Sequence, residues 1–307
     1  MSKILVTGGL GVVGTELVRE LRSRGHEVWV CDLPHNHHPQ YIRCDIGEFR
    51  QLERIFEAHT FDYVYNLAAE FGRWNGEDYY EKVWHSNAVG MKNVLRMQEK
   101  YKFRLIHFSS SEVYGDYTDV MYEDVLEKCP IKQMNDYAIS KWVNELQIHN
   151  SELMFGTETV RVRLFNTYGP GEYFSNYRSV ICTFTYKALH DIPYTVYTGH
   201  HRTNTYITDC VNALATICEN FKPGEVYNIA SSEYYDIKAL SDLILKYAGK
   251  TDALVTYKEH EPQTTIDKKV DNSKAVRDLG LKTTVDIEEG IRRNVEWMRK
   301  VYCDNKE

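Results

Sequence analysis

The chain has 307 residues, of which 43% are hydrophobic and 26% are charged, close to the average for globular proteins. This composition excludes disordered, fibrous and collagen-like chains, and the length allows one large domain or two modest ones. Since 37 Lys and Arg stand against 44 Asp and Glu, the formal net charge is −7, which suits a nucleic-acid backbone poorly. We therefore expect no nucleic-acid partner.

The location of the protein is predicted from its apolar runs and its cysteines. No apolar run approaches the roughly 18 residues of a membrane span. The first residues enter an apolar strand pattern at once and lack the features of a signal peptide. The seven cysteines are scattered and contain no Cys-x-x-Cys pair, which favours free thiols in a reducing compartment. We expect a cytoplasmic protein that makes no contact with a membrane.

The first half of the chain alternates short apolar runs with amphipathic stretches. The apolar runs predict strands at 4–6, 27–31, 41–43, 62–67, 104–108 and 159–164. Helical periodicity is found at 12–24, 48–58, 81–101 and 136–151. Strands joined through helices of this length need crossover connections, which produce a parallel sheet covered on both faces.

The pattern changes after residue 167, where turns, tyrosines and short segments become frequent. A buried strand at 226–229 is expected to return to the main sheet, and helices are predicted at 208–220, 237–248 and 287–302. The fold class is thus α/β: a Rossmann-type, doubly wound parallel sheet of about seven strands with a smaller C-terminal α/β lobe.

A glycine-rich turn follows the first strand directly and opens the first helix. Gly8, Gly11 and Gly14 form a G-x-x-G-x-x-G pattern, in which missing side chains let a pyrophosphate approach backbone N–H groups. The first helical residues, Val12 and Val13, add unpaired N–H groups and the positive end of the helix dipole. The sequence therefore predicts a dinucleotide-binding site at this turn.

The choice of dinucleotide is predicted from the end of the second strand. Asp32 stands where a carboxylate can accept hydrogen bonds from both hydroxyls of an adenine ribose, and it would repel a 2′-phosphate. NAD is therefore favoured over NADP, although protonated histidines within 35–38 could weaken that preference. No metal is expected there, because no Cys or carboxylate stands at ligand spacing. Asp45 and Ile46, after the third strand, are candidates to hold the adenine.

Tyr137 and Lys141 stand four residues apart and share one face of a predicted helix. A phenol has an ordinary pKa of about 10, so an adjacent ammonium and a positive nicotinamide ring are needed to stabilise the phenolate at neutral pH. Ser110 leaves the fifth strand at its C-terminal end, where a hydroxyl can hydrogen-bond an alcohol or a ketone. Each feature alone also fits a solvated helix face or a polar turn, and only the combination is specific.

Together these residues resemble the extended short-chain dehydrogenase/reductases that modify nucleotide sugars, over nearly the whole chain. The resemblance implies a NAD-binding Rossmann domain at 1–167, with a return segment at about 206–230. It implies a nucleotide-sugar-binding lobe at 168–205 and 231–307. It also implies a homodimer in which the helices at 81–101 and 136–151 pair across a two-fold axis.

Several site residues are assigned through the resemblance alone. Leu67, Ala68 and Ala69 correspond to the family segment beside the cofactor, and Asn87 to a helix Asn that supports the active site. On the substrate side the resemblance implies that Asn166 and Arg202 contact the nucleotide-diphosphate sugar. Arg178 is a further candidate outside the family pattern, as an anion contact in place of the arginine that decarboxylases usually have at the position of Gly171.

The reaction that the resemblance implies begins when Tyr137 deprotonates a sugar hydroxyl, usually at C4, and hydride leaves for tightly bound NAD. Ser110 and Lys141 stabilise the developing oxyanion and position the ribose. Ser111 and Glu112 come next in the chain, and family dehydratases and decarboxylases carry a glutamate at the position of Glu112. The carboxylate also fits a residue that caps a turn or pairs with a nearby Lys or Arg.

The prediction is therefore a nucleotide-sugar 4,6-dehydratase, with a 4-epimerase or a UDP-glucuronate decarboxylase as alternatives. Ser111 stands where dTDP-glucose dehydratases have Asp, and Gly171 where decarboxylases usually have Arg, so no subtype fits fully. Two other classes stay open: a NAD-sensing protein without turnover and a ketoreductase that consumes NADH. Retention of the Ser, Tyr and Lys together argues against the sensor, because a sensor needs no activated phenol.

Overall fold

The central layer of the molecule is a sheet of seven parallel strands, in a computed structural model that describes residues 1–304. The strands of the chain are, in order, β1 (Lys3–Thr7), β2 (Glu27–Asp32), β3 (Tyr41–Arg43), β4 (Tyr63–Asn66), β5 (Arg104–Ser110), β6 (Thr159–Leu164), β7 (Thr167–Tyr168), β8 (Tyr194–Tyr197), β9 (His201–Thr203), β10 (Thr205–Tyr206), β11 (Val226–Ile229), β12 (Tyr234–Asp236), β13 (Val255–Lys258) and β14 (Asp267–Lys268). The sheet has the order β11-β6-β5-β4-β1-β2-β3, and each neighbouring pair is parallel. This confirms the predicted fold class, including the return of the chain at 226–229. The predicted lobe extends to residue 307, and its last three residues lie outside the described residues.

Helices cover both faces of the sheet. They are α1 (Val12–Ser23), α2 (Phe49–Ala58), α3 (Arg73–Asp78), α4 (Tyr80–Val83), α5 (Gly90–Tyr101), α6 (Val125–Lys128), α7 (Asp136–Phe155), α8 (Val180–Leu189), α9 (Ile207–Thr216), α10 (Ile237–Ala248), α11 (Ser273–Leu279) and α12 (Ile287–Arg299). Over residues 1–304, none of these helices combines the length and the apolar character needed to cross a membrane.

The side chains of β1 show why both faces of the sheet are covered. Ile4 and Val6 are fully buried on the face that α1 and α9 cover, and Leu5 is fully buried on the face of α2, α5 and α7. A parallel strand that is buried on both faces is a continuous apolar run in the sequence, which is why it was predictable. Burial of each of these side chains contributes about 1.5–3 kcal/mol to the stability of the fold. The loop that follows β1 therefore starts from a rigid strand.

The long helix predicted at 81–101 is divided in the structure. A wider, π-type turn over Trp84–Val89 separates α4 from α5. Such single-turn insertions are frequent at functional sites, and this one contains Asn87. Other predicted helices also have different ends: the helix at 136–151 extends to Phe155, and that at 208–220 ends at Thr216. The helix predicted at 287–302 is α-helical to Arg299 and continues as a π-type turn to Asp304.

The site is positioned by the strand order of the sheet. The chain moves outward from β1 through β2 and β3 and then crosses back to β4, so the order reverses between β1 and β4. In open α/β sheets, ligands bind at this switch point, outside the carboxyl ends of the strands. The small sheet β12-β9-β14, which follows residue 167 in the chain, contributes side chains to the same place.

Candidate active site

A cavity of about 600 Å³ lies at the carboxyl ends of the parallel strands and extends into the C-terminal lobe. Every candidate residue of the sequence analysis lines it except Asn87. The structure therefore brings the predicted cofactor, reaction and substrate residues together in one continuous space. No group of three His, Cys, Asp or Glu side chains lies close enough to hold a metal ion within residues 1–304.

The glycine turn forms one end of the cavity. Gly8 has φ +66°, and a Cβ built there would lie 2.7 Å from the backbone N of Ala68, so the turn needs glycine on both counts. The N–H of Gly11 donates to the carbonyl oxygen of Gly8 over 3.1 Å. Within the described chain, no side chain caps the start of α1, where Val12 and Val13 line the cavity. This geometry fits a pyrophosphate, because open N–H groups and the positive end of a helix dipole face the space.

Asp32 lies at the rim of the same end. Its carboxylate accepts hydrogen bonds from the backbone N–H of Leu10, over 2.9 Å, and of Leu33, over 2.7 Å. These contacts fix the carboxylate beside the glycine turn, where a ribose diol would lie. Asp45 accepts from the N–H of Gly47 over 2.8 Å, which shapes the turn that presents Asp45 and Ile46 to the cavity.

Asn87 lies behind the cavity wall, where it joins two parts of the site. Its side chain accepts from the backbone N–H of Glu70 over 2.9 Å and donates to the carbonyl oxygen of Glu70 over 3.0 Å. It also donates to the hydroxyl of Ser140 on α7 over 2.9 Å. The side chain of Asn87 is 1% exposed. Through its hydrogen bonds it holds the segment that begins with Leu67, Ala68 and Ala69 against α7, the helix that bears Tyr137.

The end of β5 brings three candidate side chains to the middle of the cavity. The hydroxyl of Ser110 accepts from the backbone N–H of Glu112 over 3.2 Å, which starts the single 3-10 turn over Ser111–Tyr114. Below the cavity, Arg163 donates to Glu145 of α7 over 2.7 Å, and both are almost fully buried. Strand β6 is thereby fixed to α7, next to the strand that bears Ser110.

Tyr137 and Lys141 face the end of β5 from the first turns of α7. The helix is capped by Asn135, whose side chain accepts from the N–H of Ala138 over 2.8 Å. The ammonium of Lys141 donates to the carbonyl oxygen of Phe108 over 2.8 Å and lies 5.9 Å from the centre of the Tyr137 ring. The predicted i, i+4 arrangement is present, and it points toward Ser110.

Burial dominates the electrostatics of this pair. It lowers the pKa of Lys141 to about 8. Burial also raises the pKa of Tyr137 to about 12. The negative charge of Glu112 adds to this increase, and the hydrogen bond with Ser110 opposes it. The groups of the protein therefore leave the phenol protonated at neutral pH, and a further positive charge beside it is needed to ionise it.

Glu112 forms an ion pair with Lys268 of β14, a residue that the sequence analysis did not single out. Lys268 is 1% exposed and lines the cavity. Burial alone would raise the pKa of Glu112, but the positive charges of Lys268 and Arg73 lower this pKa to about 2. The two partners are 156 residues apart in the chain, so no local pattern could have indicated the contact.

The substrate end of the cavity contains two arginines that form no ion pair with a carboxylate in the described part of the chain. Arg202 donates to the backbone carbonyl oxygens of His201 and Ile266, over 2.8 and 2.7 Å. The guanidinium of Arg178 lies 4.2 Å from the centre of the Phe71 ring. Because neither guanidinium has a carboxylate of the described chain in direct contact, both suit an anionic group of a ligand.

Asn166 joins the two halves of the cavity. Its side chain donates to the carbonyl oxygen of Thr203 over 2.9 Å, and its backbone has φ +35°. Positive φ is uncommon outside glycine, although Asn tolerates it better than most residues. The strained position directs the chain from β6 into the lobe and presents Asn166 to the cavity.

A family model described as the NAD dependent epimerase/dehydratase family matches residues 4–230. Among curated proteins, a UDP-N-acetyl-alpha-D-glucosaminuronate decarboxylase of Bacillus cytotoxicus is 28% identical, over 98% of this chain and 99% of that protein. A dTDP-glucose 4,6-dehydratase of Neisseria meningitidis serogroup B is 27% identical, over 100% of this chain and 94% of that protein.

Solved structures show the same likeness. An epimerase of Methanothermobacter thermautotrophicus superimposes with a TM-score of 0.89 at 26% identity, covering 98% of this chain and 93% of that chain. The relatives include dehydratases, decarboxylases and 4-epimerases at similar identity, so overall similarity does not separate the three reactions.

Proposed function

The chain belongs to the NAD-dependent epimerase/dehydratase family, and we propose that it is a nucleotide-sugar 4,6-dehydratase. It is an enzyme, and its cofactor is NAD. The observation that carries the finer proposal is the position of Glu112, which lines the same cavity as Tyr137 and Ser110. A carboxylate beside an oxidising centre is needed for chemistry at C5, and simple inversion at C4 does not require it.

The proposed cofactor end of the cavity is the one around the glycine turn. Gly8, Gly11 and the first turn of α1 would hold the pyrophosphate, and Asp32 the adenine ribose. Asp45 and Ile46 would lie beside the adenine, and Leu67, Ala68 and Ala69 would line the path to the nicotinamide. When bound, NAD would accept a hydride from the sugar and return it at the end of the cycle.

Tyr137 is proposed as the base that takes the proton of the C4 hydroxyl. Lys141 would hold the phenolate form, and the hydroxyl of Ser110 would hydrogen-bond the oxygen at C4 as it becomes a ketone. Because the pKa of Tyr137 is about 12 among the groups of the protein alone, we propose that this chemistry starts only when the cofactor site is filled.

Glu112 is proposed to remove the proton from C5, which the neighbouring C4 ketone has made acidic. The carboxylate is ionised at neutral pH, as a base must be. Ser111, which is 3% exposed, would contribute a hydroxyl to the same wall. Loss of the C6 hydroxyl then leads to a 4-keto-6-deoxy sugar.

The partner is proposed to be a nucleotide-diphosphate sugar. Arg178 and Arg202 would bind the diphosphate, because they lack carboxylate partners, and Asn166 would position the sugar. We propose that residues 1–167 with 206–230 bind NAD, and that 168–205 with the lobe from 231 onward bind the nucleotide.

The test is incubation with dTDP-glucose, UDP-glucose, CDP-glucose and GDP-mannose, followed by NMR of the products. A 4-keto-6-deoxy product without net consumption of cofactor is expected from at least one of them. Inversion at C4 would instead assign a 4-epimerase, and a pentose from added UDP-glucuronate a decarboxylase. Net oxidation of NADH would assign a ketoreductase, and no turnover of any sugar would contradict an enzyme of this class.

We also propose a homodimer that forms through the faces of α5 and α7. Ile139, at 37%, and Leu146, at 50%, are among the exposed apolar side chains of α7, and Val89, at 46%, is exposed at the end of the π-type turn that precedes α5. A two-fold axis would bury them against their copies. Light scattering should give twice the mass of the chain for the wild type and a lower mass for Leu146→Glu. A wild-type protein with the mass of one chain would contradict the dimer.

The proposed location is the cytoplasm. The cysteines of the described chain are free, and five of the seven are buried. Free thiols persist in a reducing compartment such as the cytosol. Fractionation of cells that produce the full chain would test this location, and recovery outside the cytoplasm would contradict it.

A further inference from the structure

The ion pair between Lys268 and Glu112 joins the two halves of the molecule in the wall of the cavity. Lys268 belongs to β14, which pairs with β9 in the small sheet of the lobe, and Glu112 follows β5 of the main sheet. Both side chains line the cavity. The pair is thus in the wall that a sugar would contact, and not in the interior of either half.

The surroundings of Lys268 are unfavourable for an ammonium. Its side chain is 1% exposed, and the charges of Arg202 and Arg73 disfavour a further cation. A buried ion pair often gains less from its attraction than it loses in hydration, so an apolar residue would serve packing equally well. Burial lowers the pKa of Lys268 to about 8, although the charge of Glu112 opposes this change. The pKa of Lys268 is therefore close to neutral pH. A group with such a pKa can give up and regain a proton efficiently.

The proposed dehydration needs an acid as well as a base. Hydroxide is a poor leaving group, so the C6 oxygen must receive a proton as its bond to carbon breaks. Ser111 is next to Glu112, but a serine hydroxyl does not release a proton at neutral pH. Glu112 is ionised and therefore carries no proton at the start. Lys268 is the protonated group in direct contact with Glu112 in the cavity wall.

We propose that Lys268 is the acid that protonates the departing C6 hydroxyl after Glu112 has removed the proton from C5. The proposal rests on the proposed 4,6-dehydratase function and adds a catalytic residue to it. First the C5–H bond breaks, its proton goes to Glu112, and its electron pair is held by the C4 ketone as an enolate. In the second step this pair forms the C5–C6 double bond. The C6–O bond breaks toward oxygen, and the oxygen takes a proton from Lys268 and leaves as water.

The contact between the two side chains resets them after this step. Glu112 is then protonated and Lys268 is neutral, and the two are in hydrogen-bond contact. Transfer of one proton from Glu112 to Lys268 restores the ion pair. The pair therefore carries the proton from C5 to the leaving oxygen with no external acid.

The test separates removal of the C5 proton from loss of water. Lys268→Arg keeps a cation beside Glu112, but a guanidinium does not give up its proton in the working range. Lys268→Gln removes the charge and serves if the arginine variant folds poorly. Lys269→Arg is the matched control, because Lys269 is the next residue and is exposed.

Each protein is incubated in D2O with the panel sugar that the wild type dehydrates, and recovered substrate and product are examined by NMR. Lys268→Arg and Lys268→Gln should still place deuterium at C5 of recovered substrate, while product formation falls by about 10²- to 10⁴-fold. Lys269→Arg should behave like the wild type in both measurements.

Two results would overturn the role of Lys268 without touching the proposed function. One is product formation by Lys268→Arg at the wild-type rate. The other is equal loss of C5 exchange and product formation in both variants, which would mean that Lys268 only shapes the site. A wild-type protein that makes no 4-keto-6-deoxy product from any panel sugar would overturn the proposed function, and the role of Lys268 with it.

Discussion

The ammonium of Lys141 lies 5.9 Å from the centre of the Tyr137 ring, one helical turn further along α7. Its hydrogen bond to the carbonyl oxygen of Phe108 ties this helix to the end of β5, the strand that bears Ser110. The three side chains proposed for the oxidation are therefore held by a helix and a strand, and not by mobile loops. Such rigidity favours a fixed geometry around a single carbon atom.

Removal of the Tyr137 hydroxyl should abolish turnover while leaving the cofactor bound. Tyr137→Phe keeps the ring but takes away the base, and general base catalysis contributes about 10²- to 10⁴-fold. We expect a loss of at least this size in product formation, with NAD still present in the purified protein. Turnover at the wild-type level would remove Tyr137 from the mechanism.

Replacement of Asp32 should weaken the binding of NAD more than the binding of NADP. The carboxylate would accept hydrogen bonds from the ribose of NAD, whereas it would repel the extra phosphate of NADP. Loss of charge-assisted hydrogen bonds predicts a drop of about tenfold to a hundredfold in NAD affinity for Asp32→Ala. Titration calorimetry with both cofactors measures the difference, and equal losses would contradict the ribose role.

The oxidation step should slow as the pH rises through about 8. Burial lowers the pKa of Lys141 to about 8, so its ammonium is present below that pH and is lost above it. The initial reduction of bound cofactor by substrate can be followed by near-ultraviolet absorbance across this range. In Lys141→Arg the charge persists, so the decline should move to higher pH, and an unchanged decline would assign it to another group.

The ion pair of Arg163 and Glu145 should be a major contribution to stability below the active site. Both side chains are at most 3% exposed, so Arg163→Met would leave the buried carboxylate of Glu145 with the hydroxyl of Ser109 and with Arg161, 3.9 Å away, in place of its closest cation. We expect the free energy of unfolding in urea to fall by about 3–5 kcal/mol. Lys238→Met, which breaks the exposed pair with Asp242, is the matched control and should cause no measurable change. Similar effects of both substitutions would contradict this account.

The fold was predictable because its signals are local. Strands such as β1 are short apolar runs, and the glycine turn at Gly8 has a fixed spacing that its positive φ explains. Helix ends were less predictable, as the wider turn at Trp84–Val89 shows, since tertiary contacts of Asn87 accompany it. The helical periodicity continues through that turn and gives no sign of it.

The candidate site was predictable only where its residues belong to compact motifs. Tyr137 and Lys141 share a helix face, so four residues of sequence define their relation. Lys268 is different, because it reaches Glu112 from a short strand of another sheet. Nothing in the residues around it marks it as buried. The choice among dehydration, decarboxylation and epimerisation depends on such long-range contacts.

The most direct test of the account uses a nucleotide sugar with deuterium at C4, chosen from the panel members that the protein converts. If Tyr137 starts an oxidation at C4 and the cycle ends at C6, the deuterium should appear in the C6 methyl group of the product, as NMR would show. A 4-keto-6-deoxy product without deuterium in its methyl group, or a C4 epimer that carries deuterium at C4, would contradict the account.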